Sequence, residues 1–111
     1  MNATSISRAS PTRDANTLAR GLCDALLTPG STSEMASLLA DLCTPAEVLA
    51  LAERWHVARL LDRTDLTYRE IHDATGVSTT TIVRVARFLK QERNLGYRTA
   101  LDRLRDEADA D

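Results

Sequence analysis

The sequence predicts an all-α fold of about six helices, and three observations carry that expectation. Apolar residues recur at intervals of three and four along most of the chain, the period of an amphipathic helix rather than a strand. Only four glycines, three prolines and four aromatic residues are present, against an abundance of Ala, Leu, Arg and Asp that favours helix. Two capping boxes, Thr44 with Glu47 and Thr67 with Glu70, mark helix starts in the middle of the chain.

The elements follow in order. Residues 1–14 are polar, rich in Ser and Thr and interrupted by Pro11, which reads as a disordered arm. From Asn16 a helix carries Leu18, Leu22 and Leu26 on one stripe, with Cys23 and Leu27 beside it, and stops at Thr28, Pro29 and Gly30. Ser31 to Ser33 can cap the next helix, through Met35, Leu38, Leu39, Leu42 and Cys43. Pro45 suits the first turn of a third helix reaching about Arg63. It is apolar on most sides (Val48, Leu49, Leu51, Trp55, Val57, Leu60, Leu61), so it expects to be surrounded, in part by a second subunit. A short helix opens at Thr67 and ends near Gly76, and Ser78 caps another through Ile82, Val85, Phe88 and Leu89 to about Lys90. The last helix follows Gly96 and carries Tyr97, Leu101 and Leu104. One domain over residues 15–107 results, with an acidic tail at 108–111.

The net charge of -2 says little, but its distribution says more. Residues 63–93 hold six basic and four acidic side chains, whereas the tail from Asn94 holds three arginines and five acids. The basic middle is a weak electrostatic footprint. Cys23 and Cys43 read as free, buried thiols of a reducing compartment, and no Cys or His cluster has metal-ligand spacing. Neither a signal peptide nor a membrane span is visible, so the expected location is the bacterial cytoplasm. With His56 and His72 the only histidines and no phosphate-cradling glycine loop, an enzyme is not expected, nor is a metal or required cofactor.

The segment from Tyr68 to Val85 has the spacing of a helix-turn-helix, within about residues 67–90. Gly76 permits a left-handed turn, and Ile71, Val77, Ile82 and Val85 fall where two crossing helices share a face. Thr79, Thr80 and Val83 would then face a major groove, with Arg84 just behind. Arg69, His72, Arg87 and Lys90 complete the expected set of contacts to double-stranded DNA.

Residues 34–104 also resemble the Trp repressor superfamily, nearest its YerC/YecD-type branch. The resemblance rests on Leu42 to Glu47, Glu53-Arg54, Ala58 to Leu61, Leu66 to Ile71, Gly76 to Ile82, Arg84, Leu89-Lys90 and Gly96-Tyr97. It implies an intertwined homodimer that places two recognition helices in successive major grooves of a near-palindromic operator. In the tryptophan-binding members, arginines sandwich the indole of L-tryptophan with threonines nearby. Those positions match Arg54, Arg84, Thr44 and Thr81. Two others depart: a glycine of that pocket is Val85 here, and a serine that helps hold the amino group is Phe88. The resemblance therefore leaves L-tryptophan open as a corepressor while suggesting a slot filled by side chains. The sequence yields a sequence-specific transcriptional regulator, a repressor by default. Its alternative is a helical protein-interaction module that does not bind specific DNA.

Overall fold

The computed structural model describes residues 11–110, with side chains described as far as Arg105. Residues 1–10 of the expected arm and Asp111 of the expected acidic tail lie outside the described residues. Six helices and no strand are found there, and no helix is long and apolar enough to cross a membrane. The chain divides into two compact units, one ending at Thr44 and one beginning at Pro45.

The first unit holds α1 (Ala15–Leu26) and α2 (Thr32–Leu42). Asp14 caps α1, accepting hydrogen bonds from the Thr17 backbone at 2.9 Å and hydroxyl at 2.7 Å. Those two bonds favour the charged carboxylate and hold the Asp14 pKa below its ordinary value, the hydroxyl contributing most. Ser31 caps α2 through Glu34 N–H at 3.1 Å, and the Glu34 carboxylate reaches back to Gly30 N–H at 2.7 Å. Both starts are thus fixed locally. What the unit lacks is a core: neither helix contains a buried residue. Leu18, Leu22, Leu27 and Leu42 are all exposed, and Cys23, expected inside, lies on the surface of the chain as well. The leucine periodicity is right, but among the described residues nothing buries Leu18 or Leu22 of the stripe it makes, and Leu26 is only half-buried.

The second unit is organised around α3 (Pro45–Arg63), α4 (Tyr68–Thr75), α5 (Thr79–Lys90) and α6 (Gly96–Ala110). Val57 and Ala58 of α3 meet Ile71 of α4, Val77 of the turn, and Ile82 and Val85 of α5. Leu60, Leu61 and Tyr97 pack against that cluster from its edge. Ile71, Ile82 and Leu101 are completely buried, and each such side chain contributes roughly 1.5–3 kcal/mol of transfer free energy. Trp55, expected in the core, is half-buried and stacks on Tyr97 with ring centroids 6.4 Å apart.

Ion pairing ties α6 to α3. The Asp62 carboxylate accepts from Arg98 at 2.9 Å and from Arg105 at 2.8 Å, while Arg98 also grips Asp102 at 2.7 Å. The Asp62 side chain is only 12% exposed, so it is screened far less than a surface pair. The Arg98 hydrogen bond, opposed by partial desolvation, holds the Asp62 pKa below its ordinary value. The chain enters α6 through Leu95 at φ 61, a left-handed conformation that costs a residue with a Cβ on the order of 1–2 kcal/mol.

Candidate nucleic-acid interface

The geometry of α4 and α5 is set by three local devices. Thr67 accepts from Glu70 N–H at 3.1 Å, and the Glu70 carboxylate accepts from Thr67 N–H at 2.9 Å, completing the expected capping box. The backbone bond from Thr67, reinforced by its hydroxyl partner, keeps Glu70 ionised to lower pH than usual. Gly76 ends α4 at φ 77, where its N–H returns to the His72 carbonyl at 2.8 Å. Ser78 then caps α5 through Thr81 N–H at 3.2 Å and donates its own hydroxyl to Thr81 Oγ1 at 3.0 Å.

Two further bonds stiffen the turn. Thr75 donates to the Ile71 carbonyl at 2.7 Å and accepts from Val77 N–H at 3.1 Å. His72 lies beside them, half-buried, with Nδ1 at 2.7 Å from the Val77 carbonyl. A carbonyl only accepts, so Nδ1 carries the proton and the ring braces the turn. The sequence assigned His72 to DNA contact; its place in the fold gives that ring a structural partner first.

With Ile82, Val85 and Ala86 turned into the core, the other side of α5 faces outward. Thr79, Thr80, Val83, Arg84, Arg87 and Lys90 are all exposed, Val83 by 53% despite being apolar. Small hydroxyls at the helix start, an apolar methyl pair one turn later and three cations beyond form a surface matched to base edges, thymine methyls and phosphates. Arg69 on α4 is 86% exposed and approaches Asp73 at 3.9 Å. Arg87 approaches Glu92 at 3.6 Å, whereas Arg84 has no hydrogen-bond or ion-pair partner among the described residues.

A cavity of about 500 Å³ opens behind this surface, between α3, α5 and α6. Arg54, Arg84, Val85 and Phe88, four of the six residues expected at an effector pocket, line it. Thr81 is instead engaged by the α5 cap, and Thr44 belongs to the other unit. Trp55, Asn94, Tyr97 and Ala100 complete much of the lining, and none of them is among the pocket positions expected from the sequence. Gly96 and Tyr97 appeared in the resemblance, and Trp55 directly follows Arg54, so the signal was present but unassigned.

The family model described as Trp repressor protein matches residues 16–105. The chain is 48% identical over 66 residues to the uncharacterized protein YerC of Bacillus subtilis (strain 168), a match covering 60% of this chain. It spans 62% of that curated relative's length. No solved structure matches the chain.

Proposed function

Because the chain belongs to the Trp repressor family, we propose that it is a sequence-specific DNA-binding transcriptional regulator, acting as a repressor on a near-palindromic operator. The outward face of α5 carries this reading. Thr79, Thr80, Val83 and Arg84 stand exposed on its first turns while Ile82 and Val85 lock its other face to the fold. Arg69, Arg87 and Lys90 supply phosphate contacts at the margins. His72 holds the turn and thereby the angle at which α5 presents itself.

The binding unit is a homodimer. Two helices without a buried residue, bearing exposed Leu18, Leu22 and Leu42, require a covering surface, and a second copy supplies one of matching kind. Two-fold symmetry then gives the operator its near-palindromic form.

L-tryptophan is not needed to set the α5 angle. Val85 is only 1% exposed and belongs to the core cluster, and Phe88 already lies against the Arg84 guanidinium, so side chains brace this helix from within. The test is capture of fragmented genomic DNA from the source organism at fixed salt, with and without L-tryptophan. Equal enrichment of one palindromic site is the expected result. Enrichment only with the amino acid would establish a corepressor, and no enrichment in either would transfer the fold to protein interaction. Arg84→Ala should weaken binding at the enriched site by about 1–3 kcal/mol.

A further inference from the structure

The arginines of α5 are held differently from those of α6. Arg98 and Arg105 have guanidinium donors committed to carboxylates at 2.7–2.9 Å, which leaves them little to offer a ligand. The Arg84 guanidinium carbon instead lies 4.7 Å from the Phe88 ring centroid, and that of Arg87 lies 5.0 Å from the same centroid. One half-buried ring therefore carries two exposed cations. A guanidinium stacked on an aromatic face uses its π surface, and its N–H donors stay free in the plane.

We propose that Phe88 is a positioning residue for DNA binding: its ring holds the Arg84 and Arg87 side chains in place before any phosphate arrives, with the Arg84 donors unspent. The inference rests on the DNA-binding reading of α5 given above. A free arginine loses much rotamer freedom when a phosphate fixes it, and a side chain already stacked loses less. The same attraction tolerates sliding over the ring, so the two arginines can adjust to a groove without leaving their support. Glu92, at 3.6 Å from Arg87, is the competing partner that DNA must displace.

The test uses the full chain with Phe88→Leu and Phe88→Tyr, and a short duplex of random sequence as the probe. In the free protein, NMR of the arginine Nε–H groups should show ring-current shifts for Arg84 and Arg87 that vanish in Phe88→Leu and persist in Phe88→Tyr. Affinity for the duplex at low salt should fall about three- to tenfold in Phe88→Leu, the size of one or two exposed cation–π contacts, and recover in Phe88→Tyr. In an Arg84→Gln, Arg87→Gln background, Phe88→Leu should change affinity no further, which separates positioning from a general loss of fold. Equal affinity of wild type and Phe88→Leu, or no recovery with tyrosine, would overturn the proposal. Absent ring-current shifts in a wild type that binds DNA would also overturn it, and would leave the DNA-binding reading standing. Intact shifts in a wild type that binds no duplex would bring down both.

Discussion

The two units of this chain solve the same local problem and differ in the global one. Each starts its helices with side-chain caps: Asp14 and Ser31 in the first unit, Thr67 and Ser78 in the second. Only the second converts its apolar stripes into a core, with Val57, Ala58, Ile71, Ile82, Val85 and Leu101 at or near full burial. In the first, Leu18 and Leu22 of the stripe remain on the surface and Leu26 is half-buried. Capping decides where a helix begins, but burial decides whether it stays formed, because an isolated helix of 12 residues such as α1 is marginal in water. The first unit is thus written for a surface that the described residues do not supply, which is the physical argument for the proposed second copy.

The largest effect should come from striking the two units in turn. Ile82→Ala removes a fully buried side chain at the α4–α5 crossing and should cost about 2–5 kcal/mol, enough to unfold a small domain. Leu18→Asp with Leu22→Asp alters side chains that are already 56% and 45% exposed. In that variant the second unit should keep its helicity while the protein sediments as a monomer. Circular dichroism and sedimentation together read both results. A doubly substituted chain that stays dimeric would mean that the leucine face is not the subunit interface.

A smaller effect should follow from Asp62→Asn, which removes the charge that Arg98 and Arg105 share. Charged hydrogen bonds of this kind contribute on the order of 1–3 kcal/mol, and Arg98 keeps Asp102 as a partner, so the lower half of that range applies. The pH dependence fixes the sign. Asp62 titrates below its ordinary value of 3.8 in the fold, so its contribution is fully present above that value. It is lost as pH falls through the lowered folded pKa. Acid unfolding of the wild type should therefore be steeper than that of Asp62→Asn, as followed by Trp55 fluorescence. Identical acid profiles would show that the clamp holds α6 without stabilising the fold.

Much of this fold was legible because its rules are local. Gly76, Ser78 and the Thr67–Glu70 pair announce themselves within four residues, and the buried set of the helix-turn-helix follows from helical period alone. The Asp62 clamp was not legible. Its partners lie 36 and 43 residues away, and a lone aspartate in a charged helix end looks like solvated surface. Trp55 illustrates the same limit, since its stack on Tyr97 depends on where α6 lands. Cys23 sits beside the apolar stripe but is exposed, because burial of a stripe needs a partner that periodicity cannot name. The outward residues of α5 were found by subtraction: once Ile82 and Val85 point in, Thr79, Thr80, Val83 and Arg84 must point out. The contact of Arg84 and Arg87 with the Phe88 ring is not legible in this way, because the sequence marks Phe88 only as an apolar position and as a residue of the effector pocket.

The smallest effect tests how local the turn is. A Cβ placed on Gly76 would meet nothing within 4 Å, so Gly76→Ala introduces no clash. Its cost is the left-handed backbone at φ 77, about 1–2 kcal/mol for a residue with a Cβ. Because the turn is braced separately by His72 on Val77 and by Thr75, the strain should be borne without moving α5. Chemical denaturation should therefore show a lower midpoint with an unchanged slope, while affinity for DNA stays within about twofold of the wild type. Amide exchange should quicken in α4 and α5 and remain as it was in α1 and α2, whose protection in the proposed dimer comes from the second copy rather than from this core. Equal quickening across all six helices would instead mean that the two units unfold as one, and that the core of the second is what keeps the first in place.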